Sequence, residues 1–150
     1  MAIVRTAGTE IIRSAYFEAV NDTEQKLIIG EQHHIYTVLS ITVCCLNSNT
    51  PGTNKIYFRL KGYDSKGGTT AQEHHIFRWT MIENETFVWN DKFSFNGHEP
   101  TDFAGPLDDT TKQDAIADQG SSVAQFIACS ATHASDDCDI SITYIDQNNA

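Results

Sequence analysis

The sequence predicts an all-β domain: a two-sheet antiparallel β-sandwich, jelly-roll-like, carrying one long acidic loop. Three observations support this. Apolar residues recur with a period of two along most of the chain, as in strands that bury one face. β-Branched and aromatic residues fill those segments, and clusters of Gly, Pro, Asn, Asp and Ser separate them. The pattern yields about seven to nine short strands, a count that suits two packed sheets. At 150 residues the chain fits one domain and can bury a core without disulfides or metals. Residues 1–9 read as an N-terminal arm, 10–147 as the sandwich domain with a loop excursion over 96–121, and 148–150 as a polar tail.

Taken in order, Glu10 to Val20 is ambiguous. Ile11, Ile12, Ala15, Tyr16 and Ala19 fit a helical stripe, whereas Ile12, Phe17 and Val20 fit a strand; the β character of the remainder favours the strand. Lys26 to Ile29 is a short apolar run. His33 to Leu46 is the strongest segment, with Ile35, Leu39, Ile41, Val43 and Cys45 assigned to one face and Tyr36, Val38, Ser40, Thr42 and Cys44 to the other. The turn-rich run NSNTPGTN ends it. Ile56, Phe58 and Leu60 then alternate with Tyr57, Arg59 and Lys61, and Phe77, Trp79 and Met81 alternate with Arg78 and Thr80. Glu83 to Glu85 reads as a turn, and Thr86 to Trp89 with Lys92 to Phe95 as two short strands or one bent strand. Asn96 to Ser121 has no sustained period, which marks an excursion. Val123 to Ser130 and Asp139 to Ile145 read as a final hairpin turned by Ala131 to Asp137.

The formal net charge of −10 opposes nucleic acid and anionic membrane as partners. Much of it sits between Glu99 and Asp118, where six acidic residues face the single Lys112. No apolar stretch approaches the ~20 residues of a membrane span. The N-terminal residues lack the apolar region of a secretory signal, so the expectation is synthesis in a cytoplasm. There Cys44, Cys45, Cys129 and Cys138 are expected as free, mostly buried thiols. Adjacent Cys44 and Cys45 point to opposite faces of a strand, and no CxxC motif is present.

The pairs His33-His34 and His74-His75 are the sharpest chemical lead, because imidazoles on paired strands can converge on zinc or copper. Each pair offers at most one inward ligand, so the weak candidates are His34 and His75, and the metal expectation is none. Asp102, Asp108 and Asp109 lack the spacing of a calcium loop. No nucleophile elbow, P-loop, dinucleotide fingerprint or HExxH helix occurs, so no catalytic residue, enzyme activity or cofactor is expected. Trp79, Phe87, Trp89, Phe93 and Phe95 read as core, with some available as interface anchors or as a sugar-stacking platform.

The strings HHIYTVLSITVCC, KIYFRLKGY, ENETFVWNDKFSF and CDISITYIDQ resemble small virion structural proteins of tailed bacteriophages, particularly of cyanobacterial phages. The matching phrases are Ser40 to Cys44, Thr86 to Lys92 and Thr143 to Gln147, within a likeness that spans Gln32 to Gln147 apart from the acidic excursion. The resemblance implies a β-sandwich that acts as a capsid decoration or cement protein on the outer shell, where it stabilises capsomer contacts. A neck, tail or fibre component is the alternative within that group, and a carbohydrate-binding module the alternative outside it. The implied partners are the major capsid protein or other virion proteins, with self-association, often as a trimer. The implied location is the virion, after synthesis in the host cytoplasm.

Overall fold

A computed structural model describes residues 8–64, 69–98 and 123–148. Among the described residues nine strands are present: β1 (Thr9–Val20), β2 (Gln25–Ile29), β3 (His34–Asn47), β4 (Lys55–Asp64), β5 (Thr69–Thr80), β6 (Thr86–Trp89), β7 (Phe93–Asn96), β8 (Phe126–Ala131) and β9 (Asp137–Asn148). They form two antiparallel sheets. One runs β1-β9-β3-β6, with β7 also on β3; the other runs β2-β8-β4-β5. The ambiguous N-terminal segment is a strand, and Thr86 to Phe95 makes two strands that share one edge of β3.

The pairings nest. β4 pairs β5, β3 pairs β6 and β7, β2 pairs β8, and β1 pairs β9. This is one long hairpin rolled on itself, and β3·β9 with β4·β8 close the roll into two sheets. Such is the strand order of a jelly roll, in which chain neighbours mostly cross between sheets. The expected final hairpin is therefore wrong. β8 belongs to the second sheet and β9 to the first, and the intervening turn crosses the sandwich. Alternation alone reports which face of a strand is buried, not which strand lies beside it.

The face assignment of β3 also needs correction. Tyr36 and Val38 are buried, and so are Ile41, Val43 and Cys45. The register against β9 shifts between Val38 and Ser40, and this bulge inserts one residue and reverses the phase. Ile35 and Leu39 thus leave the inward set, and Tyr36 and Val38 join it. A second bulge, between Phe17 and Val20, holds Ala19 at φ 53 and returns Val20 to the core.

The core lies between the sheets. Val38, Ile41, Val43, Ile56, Phe58, Met81, Ile127 and Ile142 are fully buried. Phe58 stacks on Phe77 at 4.3 Å between centroids, and Phe77 in turn stacks on Trp89 at 5.8 Å. The expected inward sets Ile56/Phe58/Leu60 and Phe77/Trp79/Met81 all contribute to this packing. Residues 1–7 of the expected arm, and 99–122, which hold Asp102, Asp108 and Asp109, lie outside the described residues.

Candidate functional site

His33 adopts φ 68, a left-handed conformation that histidine tolerates better than most residues. The next residue, His34, begins β3 facing inward and is buried. Its Nδ1 lies 2.6 Å from Oδ1 of Asp146, near the end of β9. The other oxygen of Asp146 accepts a hydrogen bond from Nε of Arg13 at 2.9 Å. Asp146 is only 3% exposed, so the carboxylate is removed from water and held by two partners from two different strands. On the far side of the ring, Nε2 of His34 stands 3.5 Å from Glu31. The Glu31 backbone N–H donates to the Tyr36 hydroxyl at 2.9 Å. His34 stacks on Tyr36 at 6.0 Å, and Tyr36 on Phe95 at 5.3 Å. Burial pushes the Tyr36 and Tyr144 phenols above their ordinary range, so both are neutral hydrogen-bonding groups at any physiological pH.

A carboxylate on Nδ1 fixes the tautomer and orientation of an imidazole, as it does in catalytic dyads and around metal-bound histidines. Here the remaining nitrogen faces Glu31, and the neighbours are aromatic. The cluster works as a polar clasp joining β1, β3 and β9 at one end of the first sheet. The structure does not bring the two weak metal candidates together. His34 lies in the first sheet, whereas His75 is exposed on β5 at the edge of the second, with its ring edge-on to Tyr57 at 5.8 Å. Among the described residues, no group of three or more His, Cys, Asp or Glu is arranged to hold a metal ion.

Sequence reasoning missed Asp146, which reads as part of a polar C-terminal run. The signal was present: Cys138, Ile140, Ile142 and Tyr144 set an inward period of two, and Asp146 is its next member. Arg13 shares the inward parity of Ala15 and Phe17 through its pairing with Tyr144.

The two outer faces differ in character. On the first sheet, Ser14 lies 3.3 Å from Thr143, and Thr37 lies 2.8 Å from Ser94, which gives a face rich in hydroxyls. Isolated apolar side chains interrupt it: Ile12 is 71% exposed, Tyr16 77% and Val88 54%. A shallow depression open to solvent lies there, lined by Tyr16, Phe17, Thr42, Cys44 and Ile140. It does not include His34 or Asp146. On the second sheet, Lys61 pairs with Glu24 and Glu73, and Arg59 reaches Ser130 at 2.8 Å. Trp79 and Trp89 turn away from both outer faces. Trp79 stacks on Phe87 at 6.0 Å and Trp89 on Phe77, so each indole takes part in the aromatic packing between the sheets.

β1 is the terminal strand of the first sheet. Among the described residues β1 pairs with β9 alone, through Thr9 to Phe17 and Val20. From Glu10 to Phe17 its outer edge therefore carries a row of backbone N–H and C=O groups without ladder partners among the described residues.

The fold defines the chain's class as a jelly-roll β-sandwich, an architecture shared by shell proteins, sugar-binding domains and cupins. No family model matches the sequence. No curated protein matches it. Among solved structures, it is similar to a chain from Bacillus endospore appendages, described as a novel family of disulfide-linked pili. The identity is 8%, the match covers 100% of this chain and 97% of that one, and the TM-score is 0.44. A likeness that faint carries no argument.

Proposed function

We propose that this chain is a non-enzymatic structural subunit of a phage particle, specifically a capsid decoration or cement protein that binds the outer shell and stabilises capsomer contacts. The observation that carries the reading is the edge of β1, which among the described residues pairs with β9 on one side only. This edge strand has neither proline nor lysine, bears exposed Ile12 and Tyr16, and runs regularly from Glu10 to Phe17 before the bulge that precedes Val20. Covering such an edge with a strand from a second copy or from the shell satisfies its backbone groups and buries both side chains. The excess negative charge keeps the free subunit soluble before docking. Repetition of the shell lets weak single contacts add up. The resemblance of Ser40 to Cys44, Thr86 to Lys92 and Thr143 to Gln147 to phage virion proteins supplies the particle.

The test is co-sedimentation of the full chain with shells built from the particle proteins encoded beside it. A fixed copy number and density on the outer shell are expected. Combined Ile12→Lys and Tyr16→Lys should lower occupancy about tenfold, equivalent to ~1.4 kcal/mol, and leave the thermal midpoint of the free chain unchanged. Density at the neck, tail or fibres would select that location instead. A chain that stays in the supernatant of every particle fraction would sink the structural reading.

A further inference from the structure

Cys45 and Cys138 are both fully buried and directly opposed in the β3·β9 ladder. The orientation of the pair follows from the backbone. The Cys45 N–H donates to the Glu85 carbonyl at 3.0 Å, and the Cys45 carbonyl accepts from the Asn84 N–H at 2.8 Å. Both backbone groups of Cys45 therefore point toward the β6 edge and away from β9. With respect to β9, Cys45 and Cys138 form a non-hydrogen-bonded pair, the type in which opposed Cα atoms approach to about 4.5 Å and side chains lie closest. That separation falls inside the range a disulfide spans. Sγ of Cys138 lies 3.3 Å from Sδ of Met81, in the same buried layer. The remaining cysteines do not compete. Cys44 faces the outer depression, and Cys129 lies on β8 in the other sheet, opposite Phe58.

We propose that Cys45 and Cys138 are a disulfide site: a cross-strand dithiol that closes to one covalent bond when the chain folds or opens transiently in the presence of a low-molecular-weight disulfide. One thiol, as its thiolate, attacks the oxidant to give a mixed disulfide and releases one small thiol. The second thiolate then attacks the protein sulfur of that mixed disulfide and releases the other. Two electrons leave the cysteine pair, one sulfur–sulfur bond forms, and the oxidant is reduced to two thiols that take up the two protons. Burial raises both thiols above their ordinary range and hides them from reagents, so exchange in the closed fold is slow and opening or folding sets the rate. Once formed, the bond ties β3 to β9 and closes a loop of about 90 residues, a length at which a cross-link removes much of the freedom of the unfolded chain. The site is independent of the particle reading.

The experiment refolds the full chain in oxidised and reduced glutathione, in wild type and in a variant carrying Cys44→Ser and Cys129→Ala, which keeps only the proposed pair. In both proteins the oxidised sample should lose two hydrogens in intact mass. A Cys45–Cys138 peptide should appear in the digest, and the thermal midpoint should exceed that of the reduced sample by about 10 °C. Any of three results would overturn the assignment: four titratable thiols in the denatured wild type after oxidative refolding, a wild-type bond that involves Cys44 or Cys129, or a linked variant whose midpoint is not raised.

Discussion

Gly97 and Gly30 sit where three backbones meet. The Gly97 N–H donates to the His34 carbonyl, the Gln125 N–H to the Gly97 carbonyl, and the Gly30 N–H to the Gln125 carbonyl, each at 2.8 Å. A Cβ built on Gly97 would come within 2.0 Å of the Glu31 carbonyl oxygen, and one on Gly30 within 2.0 Å of the Gly97 oxygen. The obstruction is backbone on every side, so no side-chain rotation relieves it. Gly97→Ala should therefore lower the stability measured by urea unfolding by about 2–4 kcal/mol. Gly52 provides the control. Its φ of +78 is strained for alanine, but nothing stands within 4 Å of its Cβ position, and Gly52→Ala should cost only about 1–2 kcal/mol. Equal losses at the two positions would show that the close approach at Gly97 costs no more than the strained φ at Gly52.

At the scale of elements, the outer face of the second sheet is held by a four-residue charge lattice. Lys61 on β4 meets Glu73 on β5 at 2.9 Å and also Glu24, just before β2, while Arg59 stands 3.5 Å from Glu73. The lattice thus bridges strands that lie on opposite sides of β8. Its hydrogen bonds to Glu24 and then Glu73 raise Lys61 above its ordinary 10.5, and the bond to Lys61 lowers Glu73 below its ordinary 4.5. The signs give two flanks. The Glu73 contribution is present above pH 4.5 and is lost as acid titrates the folded carboxylate; the Lys61 contribution is present below pH 10.5 and is lost as the pH rises through the folded value. Partial exposure limits the whole to about 1 kcal/mol. Lys61→Met should flatten both flanks of the curve of thermal midpoint against pH, relative to wild type, with the largest difference on the plateau between them. Parallel curves would show that the lattice is neutral.

At the scale of the whole molecule, the rolled hairpin makes the core depend on residues far apart in sequence. Phe58 on β4 touches β5 through Phe77, and Phe77 reaches across to Phe87 and Trp89 on β6, at 5.4 and 5.8 Å. One ring therefore helps to fasten the two sheets together. Phe58→Ala should cost about 3–5 kcal/mol in equilibrium unfolding, because it leaves a cavity between sheets that cannot collapse independently. Tyr57→Ala, on the outer face of the same strand, should cost less than about 1.5 kcal/mol. A similar loss at both positions would place the stabilising contacts outside the sheet interface.

Period-two alternation, β-branched composition and turn chemistry were enough to make the chain an all-β sandwich and to pick Ile56, Phe58, Phe77, Trp79 and Met81 as inward. Those signals are local, and each strand carries its own. Three features were settled only by the tertiary structure. The bulge at Val38–Ser40 turned Tyr36 inward, because a register shift against β9 leaves no mark in the sequence of β3. Asp146 became a buried clasp only once β9 lay between β1 and β3, bringing Arg13 and His34 to its two oxygens. Cys45 met Cys138 because the roll set β3 beside β9, although 92 residues separate them in the chain. Alternation fixes which side of a strand faces the core, a property of single residues and their hydration. Pairing fixes which residues meet, and that depends on how the whole chain closes.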